Sequence, residues 1–155
     1  VKVFIFGSTG MLGTYVCKYF SMKGYDIVPI SRKDIDLSTV TKSIVMHSTI
    51  GKGDVVINCA GLIKQRKDVT VYDFIKVNTM FPHLLAEVCD AKKAKLIHIS
   101  TDCVFSGEVG DYDESCPHDA TDIYGRSKSL GEPENASVIR TSIIGEEKLN
   151  QLSLV

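Results

Sequence analysis

At 155 residues the chain is the size of one domain, able to bury roughly two thirds of its unfolded surface around a single core. Hydrophobic residues at 44% and charged residues at 24% exclude a disordered or fibrous chain. A formal charge of −1, with no long run of one sign, offers no electrostatic footprint for nucleic acid or for a polybasic contact with a membrane.

In chain order, short apolar strands alternate with longer segments of helical period, the signature of an α/β protein with a parallel sheet covered on both faces. A strand at Val3 to Phe6 leads into a helix from about Met11 to Lys23, then a second strand at Asp26 to Ile30. A helix is expected from Ser38, read as its N-cap, through Ile44, Val45 and Thr49, with Gly51 and Gly53 marking its end. The third strand is Val55 to Asn58, followed by a loop and a long helix carrying Phe74, Val77, Phe81, Leu84, Leu85 and Val88, in which Pro82 predicts a kink or a break. A strand at Leu96 to Ser100, a polar loop to about Thr121, a helix from Asp122 to Leu130 and a strand at Val138 to Thr141 complete the series. No repeat or linker divides it.

Between the first strand and the first helix stands GSTGMLG, Gly7 to Gly13. Glycines there allow close backbone approach, and a helix N-terminus offers free N–H groups to a pyrophosphate. A glycine triad also makes ordinary tight turns; the order strand, turn, helix, strand is what favours a dinucleotide site here. At the end of the second strand an acid would bond a ribose 2′-hydroxyl, whereas this chain has Ser31, Arg32 and Lys33. An arginine holds a phosphate with two donors, which favours NADP(H) with NAD(H) as the alternative; an exposed, solvated cation is the competing reading.

Tyr124 and Lys128, in YGRSK, share one helix face at i,i+4 spacing. An ammonium beside a phenol is expected to lower its pKa and fit it for proton exchange with a carbonyl or carbinol. Such a pair also occurs on ordinary helix surfaces. Ser100 and Thr101 lie at the C-terminal end of a strand, the edge where open α/β sheets bind ligands, and Thr101 is placed to bond a reacting oxygen unless both merely end the strand. The three features follow one another in the order a hydride-transfer site needs.

VFIFGSTGMLG, VINCAG, Val77 with Asn78, HISTDCVFSG, DIYGRSK and VIRTSIIGE together resemble the extended short-chain dehydrogenase/reductases, most of all the dTDP-4-dehydrorhamnose reductase branch of sugar-nucleotide reductases. The resemblance runs over nearly all of the chain. It implies a doubly wound, Rossmann-type NAD(P)-binding domain over residues 1–155, with a smaller C-terminal substrate region beyond it. It implies Tyr124 as catalytic acid, Lys128 as the group that lowers its pKa and holds the nicotinamide ribose, and Thr101 as the residue orienting the substrate carbonyl. Gly7, Ser8, Thr9, Gly10, Met11, Leu12 and Gly13 would cradle the cofactor, with Ser31 and Arg32 at the adenosine ribose and Asp36 and Leu37 by the adenine. Cys59, Ala60 and Gly61 would line its central portion, Asn78 would support that loop, and Ser100, Thr141 and Ser142 would approach the nicotinamide end. The implied reaction is NAD(P)H-dependent reduction of a 4-keto nucleotide sugar for deoxysugar or surface polysaccharide precursors, by a protein that would form a homodimer. An epimerase or dehydratase that retains its cofactor, and a regulatory subunit without turnover, are the alternatives; intact Thr101, Tyr124 and Lys128 argue against the last.

Lys64, Gln65 and Arg66 make the loop after Gly61 basic, suited to a nucleoside diphosphate or to plain solvation. Asp102 is read as a support for the site or as a turn residue. His47, His83, His98 and His118 show no metal-ligand spacing, and His98, inside a strand, is read as packing. The five cysteines are widely spaced without a C-x-x-C pair and read as reduced thiols; no apolar stretch reaches the ~18 residues of a membrane span, and VKVFIFG is too short for a signal peptide. A cytoplasmic location is the resulting expectation. The chain opens on Val1 and stops at Val155 inside what looks like a new element, and so reads as a fragment.

Overall fold

In the computed structural model, residues 1–42, 45, 49–64 and 68–142 are described. Five strands, β1 (Lys2–Phe6), β2 (Asp26–Ile30), β3 (Val55–Asn58), β4 (Lys95–Thr101) and β5 (Ser137–Thr141), form one sheet in the order β2-β1-β3-β4-β5. Every pairing is parallel. The strand order reverses between β1 and β3, so the crevice outside their carboxyl ends is where an open α/β sheet binds its ligand.

The continuous apolar run of β1 follows from burial on both faces, since alternate residues point to opposite sides. Phe4 and Phe6, with Val56 and Leu96, face the helix α3 (Phe81–Lys92) and pack under Phe81, Leu85 and Val88. Val3, Ile5 and Ile57 face the other way, against Val16, Cys17 and Phe20 of α1 (Met11–Met22). Phe4, Phe6, Phe81 and Leu85 are buried almost completely, each contributing about 2–3 kcal/mol.

The long helix expected around Pro82 begins as α2 (Val71–Phe74), passes through a π-helical turn at Ile75–Met80 and continues as α3. Thr70 caps α2 reciprocally with Asp73: the Thr70 hydroxyl accepts the Asp73 N–H at 3.2 Å, and Asp73 Oδ2 accepts the Thr70 N–H at 2.8 Å. Pro82 has no N–H to give the Asn78 carbonyl, and in an unbroken α-helix its ring would press on that oxygen. The widened turn, in which the Phe81 N–H reaches back to the Lys76 carbonyl, relieves this without ending the helix. The helix α4 (Ile123–Leu130) then closes on the π turn, its C-cap Gly131 so near the Asn78 carbonyl that a β-carbon would stand 1.8 Å from the oxygen.

The helix expected from Ser38 starts later. Asp36 Oδ1 captures both the N–H and the hydroxyl of Ser38, at 2.9 and 2.8 Å, and closes a turn over 37–39. Lys42 and Val45 are helical, whereas Ile44 lies outside the described residues.

Candidate functional site

The glycine turn sits at the switch point between β1 and β3. Gly7 adopts φ +75° with Ala60 directly above it, where a β-carbon would come within 2.8 Å of the Ala60 backbone. Gly13, buried in the first turn of α1, would place a β-carbon 2.1 Å from the Gly7 carbonyl oxygen. These contacts fold the turn flat against the sheet and aim the α1 N-terminus along it. The N–H groups of Gly7 and Ser8 are used by the Ile30 carbonyl, at 2.9 and 3.1 Å, and that of Gly10 by the Gly7 carbonyl at 3.0 Å. Those of Met11, Leu12 and Gly13, with no acceptor inside the helix, remain to receive an anion. No side chain caps α1, which leaves its positive end open to a ligand.

At the outer end of β2, Ser31 is tied into its own turn: its N–H and hydroxyl both donate to Asp34 Oδ2, at 2.8 and 2.7 Å. Arg32 stays exposed, 3.7 Å from Asp36 Oδ2. Hydrogen bonds from Ser38, and then the nearby guanidinium, hold the Asp36 carboxyl below its usual range. An exposed pair of this length is weak, so the guanidinium is free to turn to a stronger anion.

Gly7, Thr9, Gly10, Met11, Ser31, Arg32, Asp36, Leu37, Cys59, Ala60 and Gly61 come together around one cleft of about 860 Å³. The cleft also takes in Thr14, Tyr15, Ile35, Asp68, Val69 and Asp73, which carry no motif and are brought in only by the fold. A smaller recess of about 90 Å³ shares Cys59, Ala60, Gly61 and Leu62 with it and adds Leu12, Ser100, Tyr124 and Lys128. One groove therefore runs from the arginine across the glycine turn to the tyrosine and lysine. Ser8, Gly13, Asn78, Thr101, Thr141 and Ser142 do not line it. Burial pushes the Cys59 thiol up to about 12, so it lines the groove as a neutral group and not as a nucleophile.

Two buried amides shape the loop after β3. Asn58 Oδ1 accepts the Ala60 N–H at 3.1 Å, while its Nδ2 lies 3.1 Å from Nδ1 of His98. Burial, with the charge of Lys128 and then His83 added, takes His98 down to about 3, which keeps the ring neutral and confirms packing as its place. Asn78, 1% exposed, accepts the Leu62 N–H at 2.8 Å and donates to the Leu62 carbonyl and the Ser127 hydroxyl at 3.0 and 3.1 Å. The asparagine of the π turn thus joins the loop to α4.

Asp122 caps α4, accepting the N–H groups of Tyr124 and Gly125 at 2.9 and 3.1 Å. Gly125 lets the helix approach the turn after β4; a β-carbon would meet the Cys103 carbonyl at 2.3 Å. That approach sets Tyr124 beside Thr101, whose hydroxyl donates to Asp102 Oδ1 and accepts the Cys103 N–H, both at 3.2 Å. Asp102 in turn accepts the Ser142 hydroxyl, which makes it a support of this corner. Thr141 spends its hydroxyl on the Ser100 carbonyl at 3.5 Å, and Ser100 donates to Glu132 at 2.5 Å.

The acidity expected of the tyrosine is not what the fold produces. Burial raises Tyr124 above the usual phenol range, with the Thr101 hydroxyl and the Lys64 ammonium pulling the other way and the charges of Cys103 and Asp102 adding to the rise. Lys128 is itself buried, brought down to about 8 against the opposing pull of the Glu132 carboxylate, and donates to the Ile99 carbonyl at 2.8 Å. Its ammonium is thus engaged by the sheet. Sequence spacing puts the pair on one face but says nothing of burial or of the Ile99 carbonyl.

Lys64 lies over this end of the groove, its Nζ 2.9 Å from Asp122 Oδ2 and 5.8 Å from the Tyr124 ring centre, whereas Gln65 and Arg66 fall outside the described residues. His83 Nε2 meets the Leu130 carbonyl at 2.8 Å and His118 Nδ1 the Ser129 hydroxyl at 2.7 Å, both spent on α4; His47 is likewise outside the described residues.

Fold and groove together define an α/β domain of the extended short-chain dehydrogenase/reductase kind, with the features of a dinucleotide site along its switch point. The model of the RmlD substrate binding domain matches residues 1–152, and the chain belongs to that family. A dTDP-4-dehydrorhamnose reductase of Mycobacterium tuberculosis is 33% identical, over 91% of this chain and 49% of the relative. The spore coat polysaccharide biosynthesis protein SpsK of Bacillus subtilis is 30% identical, over 91% of this chain and 52% of its own length. A solved dTDP-4-dehydrorhamnose reductase of Bacillus anthracis, in complex with NADP, superposes with a TM-score of 0.67 at 28% identity, covering 84% of this chain and 47% of that one. The chain spans about half the length of the curated relatives it matches.

Proposed function

We propose that this chain binds NADP(H), with NAD(H) as the weaker alternative, and serves the reduction of a 4-keto nucleotide sugar in deoxysugar or surface polysaccharide precursor synthesis. The carrying observation is the single groove that joins Arg32 and the glycine turn to Tyr124 and Lys128. Relatives named as dTDP-4-dehydrorhamnose reductases, one of them solved with NADP, support the reading.

The residues present fit such a cofactor: a turn with no room for a β-carbon, an uncapped helix N-terminus and a cation at the ribose end. The N–H groups of Met11 and Leu12 would hold the pyrophosphate, and Arg32, leaving Asp36, the 2′-phosphate. When bound, the nicotinamide supplies the hydride. Tyr124, kept protonated by burial, supplies the proton to the carbonyl oxygen, and the Thr101 hydroxyl beside it would orient that oxygen on turning its proton away from Asp102. Lys128, with two protons beyond the one given to Ile99, holds a ribose hydroxyl and stabilises the phenolate left behind.

On the same reading the protein is a cytoplasmic homodimer. Five free cysteines support the compartment, and the exposed Val71, Tyr72, Ile75 and Met80 offer an apolar surface to a second copy. Among the described residues, no helix is long and apolar enough to cross a membrane.

The test of the chemistry is Tyr124→Phe in a full-length protein, assayed by NADPH oxidation with a 4-keto nucleoside-diphosphate sugar. Turnover is expected to fall at least about 100-fold with NADPH affinity within about twofold of wild type, because a proton donor is lost and not a binding surface. Undiminished turnover would refute the mechanism.

A further inference from the structure

The basic segment after Gly61 has no part in the chemistry above, yet one of its side chains reaches the reacting corner. Leu62 is clamped through both backbone groups to Asn78, so the chain leaves the clamp at a fixed point. Two residues on, Lys64 crosses to the first turn of α4 and donates to Asp122 Oδ2 at 2.9 Å, while Asp122 Oδ1 caps the N–H groups of Tyr124 and Gly125. One carboxylate thereby fixes the start of the tyrosine's helix and, through its second oxygen, a lysine from another part of the chain. That lysine's Nζ lies 5.8 Å from the Tyr124 ring centre. The hydrogen bond from Lys64 to Asp122, partly offset by burial, raises the lysine above its ordinary range, which favours its charged form beside the phenol. The lysine of the Tyr/Lys pair meanwhile donates one hydrogen bond to the Ile99 carbonyl.

We propose that Lys64 is a positioning residue of the proposed reductase site: paired with Asp122, it holds a positive charge over Tyr124 that favours ionisation of its hydroxyl. The assignment rests on the reading of Tyr124 as proton donor, but its test needs no turnover. The groups facing the phenol are Thr101, Asp102 and Cys103 from the end of β4 and the turn after it and Lys64 from the loop after β3; on its own element Asp122 caps the Tyr124 N–H and Lys128 lines the same recess. Within this set the Thr101 hydroxyl and the Lys64 ammonium favour the phenolate, whereas Cys103 and Asp102 oppose it.

The experiment is a pH titration of the chain labelled with 13Cζ-tyrosine and followed by NMR, the Tyr124 signal among six tyrosines being assigned by its loss in Tyr124→Phe. Removing a positive charge disfavours the phenolate, so in Lys64→Met the Tyr124 midpoint moves to higher pH, by about half a pH unit for a half-exposed charge 5.8 Å from the ring centre. Lys64→Arg, which keeps the charge, restores the wild-type midpoint, a rescue that a purely structural role would not produce. Lys64→Gln, which keeps a polar side chain without charge, behaves like Lys64→Met and guards against a misfolded variant. An unmoved midpoint in both neutral variants, with circular dichroism unchanged, would overturn the proposal. Loss of reduction in full-length Tyr124→Phe together with an unmoved midpoint would overturn the role of Lys64 and leave the reductase reading standing.

Discussion

Substituting Gly13 by alanine sets two effects of opposite sign against each other. Gly13 lies in the first turn of a twelve-residue helix, where alanine should gain up to about 1 kcal/mol from propensity. The added β-carbon, however, would stand 2.1 Å from the Gly7 carbonyl oxygen, 2.8 Å from its carbon and 3.0 Å from the Ser8 α-carbon. All three are backbone atoms, so no rotamer change relieves the contact. The cost belongs at the upper end of overpacking, about 3 kcal/mol, leaving a net loss of ~2 kcal/mol. For a chain of this size that is a fall in Tm of about 4–8 °C. Urea unfolding followed by circular dichroism measures it, and the shifted turn should also weaken NADPH binding at least about tenfold by calorimetry. A neutral or stabilising Gly13→Ala would mean that the turn does not lie against α1 as described.

Lys128 carries a cost of burial that depends on pH. With its pKa brought from 10.5 to about 8, the unfolded chain binds more protons between those values, so this residue makes stability rise with pH across that window. Lys128→Met should therefore stabilise the empty chain by about 2 kcal/mol at pH 7, after the lost bond to Ile99 is counted, with the gain vanishing towards pH 10.5. A stability gap independent of pH, measured by urea midpoints, would refute this. Asn78→Ala removes three hydrogen bonds between the loop, the π turn and α4 and should cost about 2–3 kcal/mol in the same assay. Arg32→Ala should weaken NADPH by roughly 10-fold to 100-fold and leave NADH within about twofold, as calorimetry with each can show; equal losses would remove the 2′-phosphate assignment.

The sheet was legible because both faces of β1 and β3 are buried, which turns each strand into an apolar run such as VFIF or VVI. The glycine turn, strand-end hydroxyls and YGRSK helix were legible for a related reason: each is a local arrangement whose chemistry sits within a few residues. The departures all come from contacts distant in sequence or from competing local ones. Asp36 takes Ser38 for its own turn, so the following helix begins later than a cap at Ser38 would have it. Pro82, with no N–H to give and a ring that crowds the Asn78 carbonyl, widens the hydrogen bonding into a π turn, against which α4 packs. Burial of Tyr124, the bond from Lys128 to Ile99 and the reach of Lys64 to Asp122, 58 residues away, have no periodicity or spacing to betray them.

The central claim is that the groove from Arg32 to Lys128 is a dinucleotide site, and calorimetric titration of the chain with NADPH and NADH tests it most directly. The account predicts saturable one-to-one binding of NADPH, tighter than that of NADH. A folded chain that binds neither would contradict it.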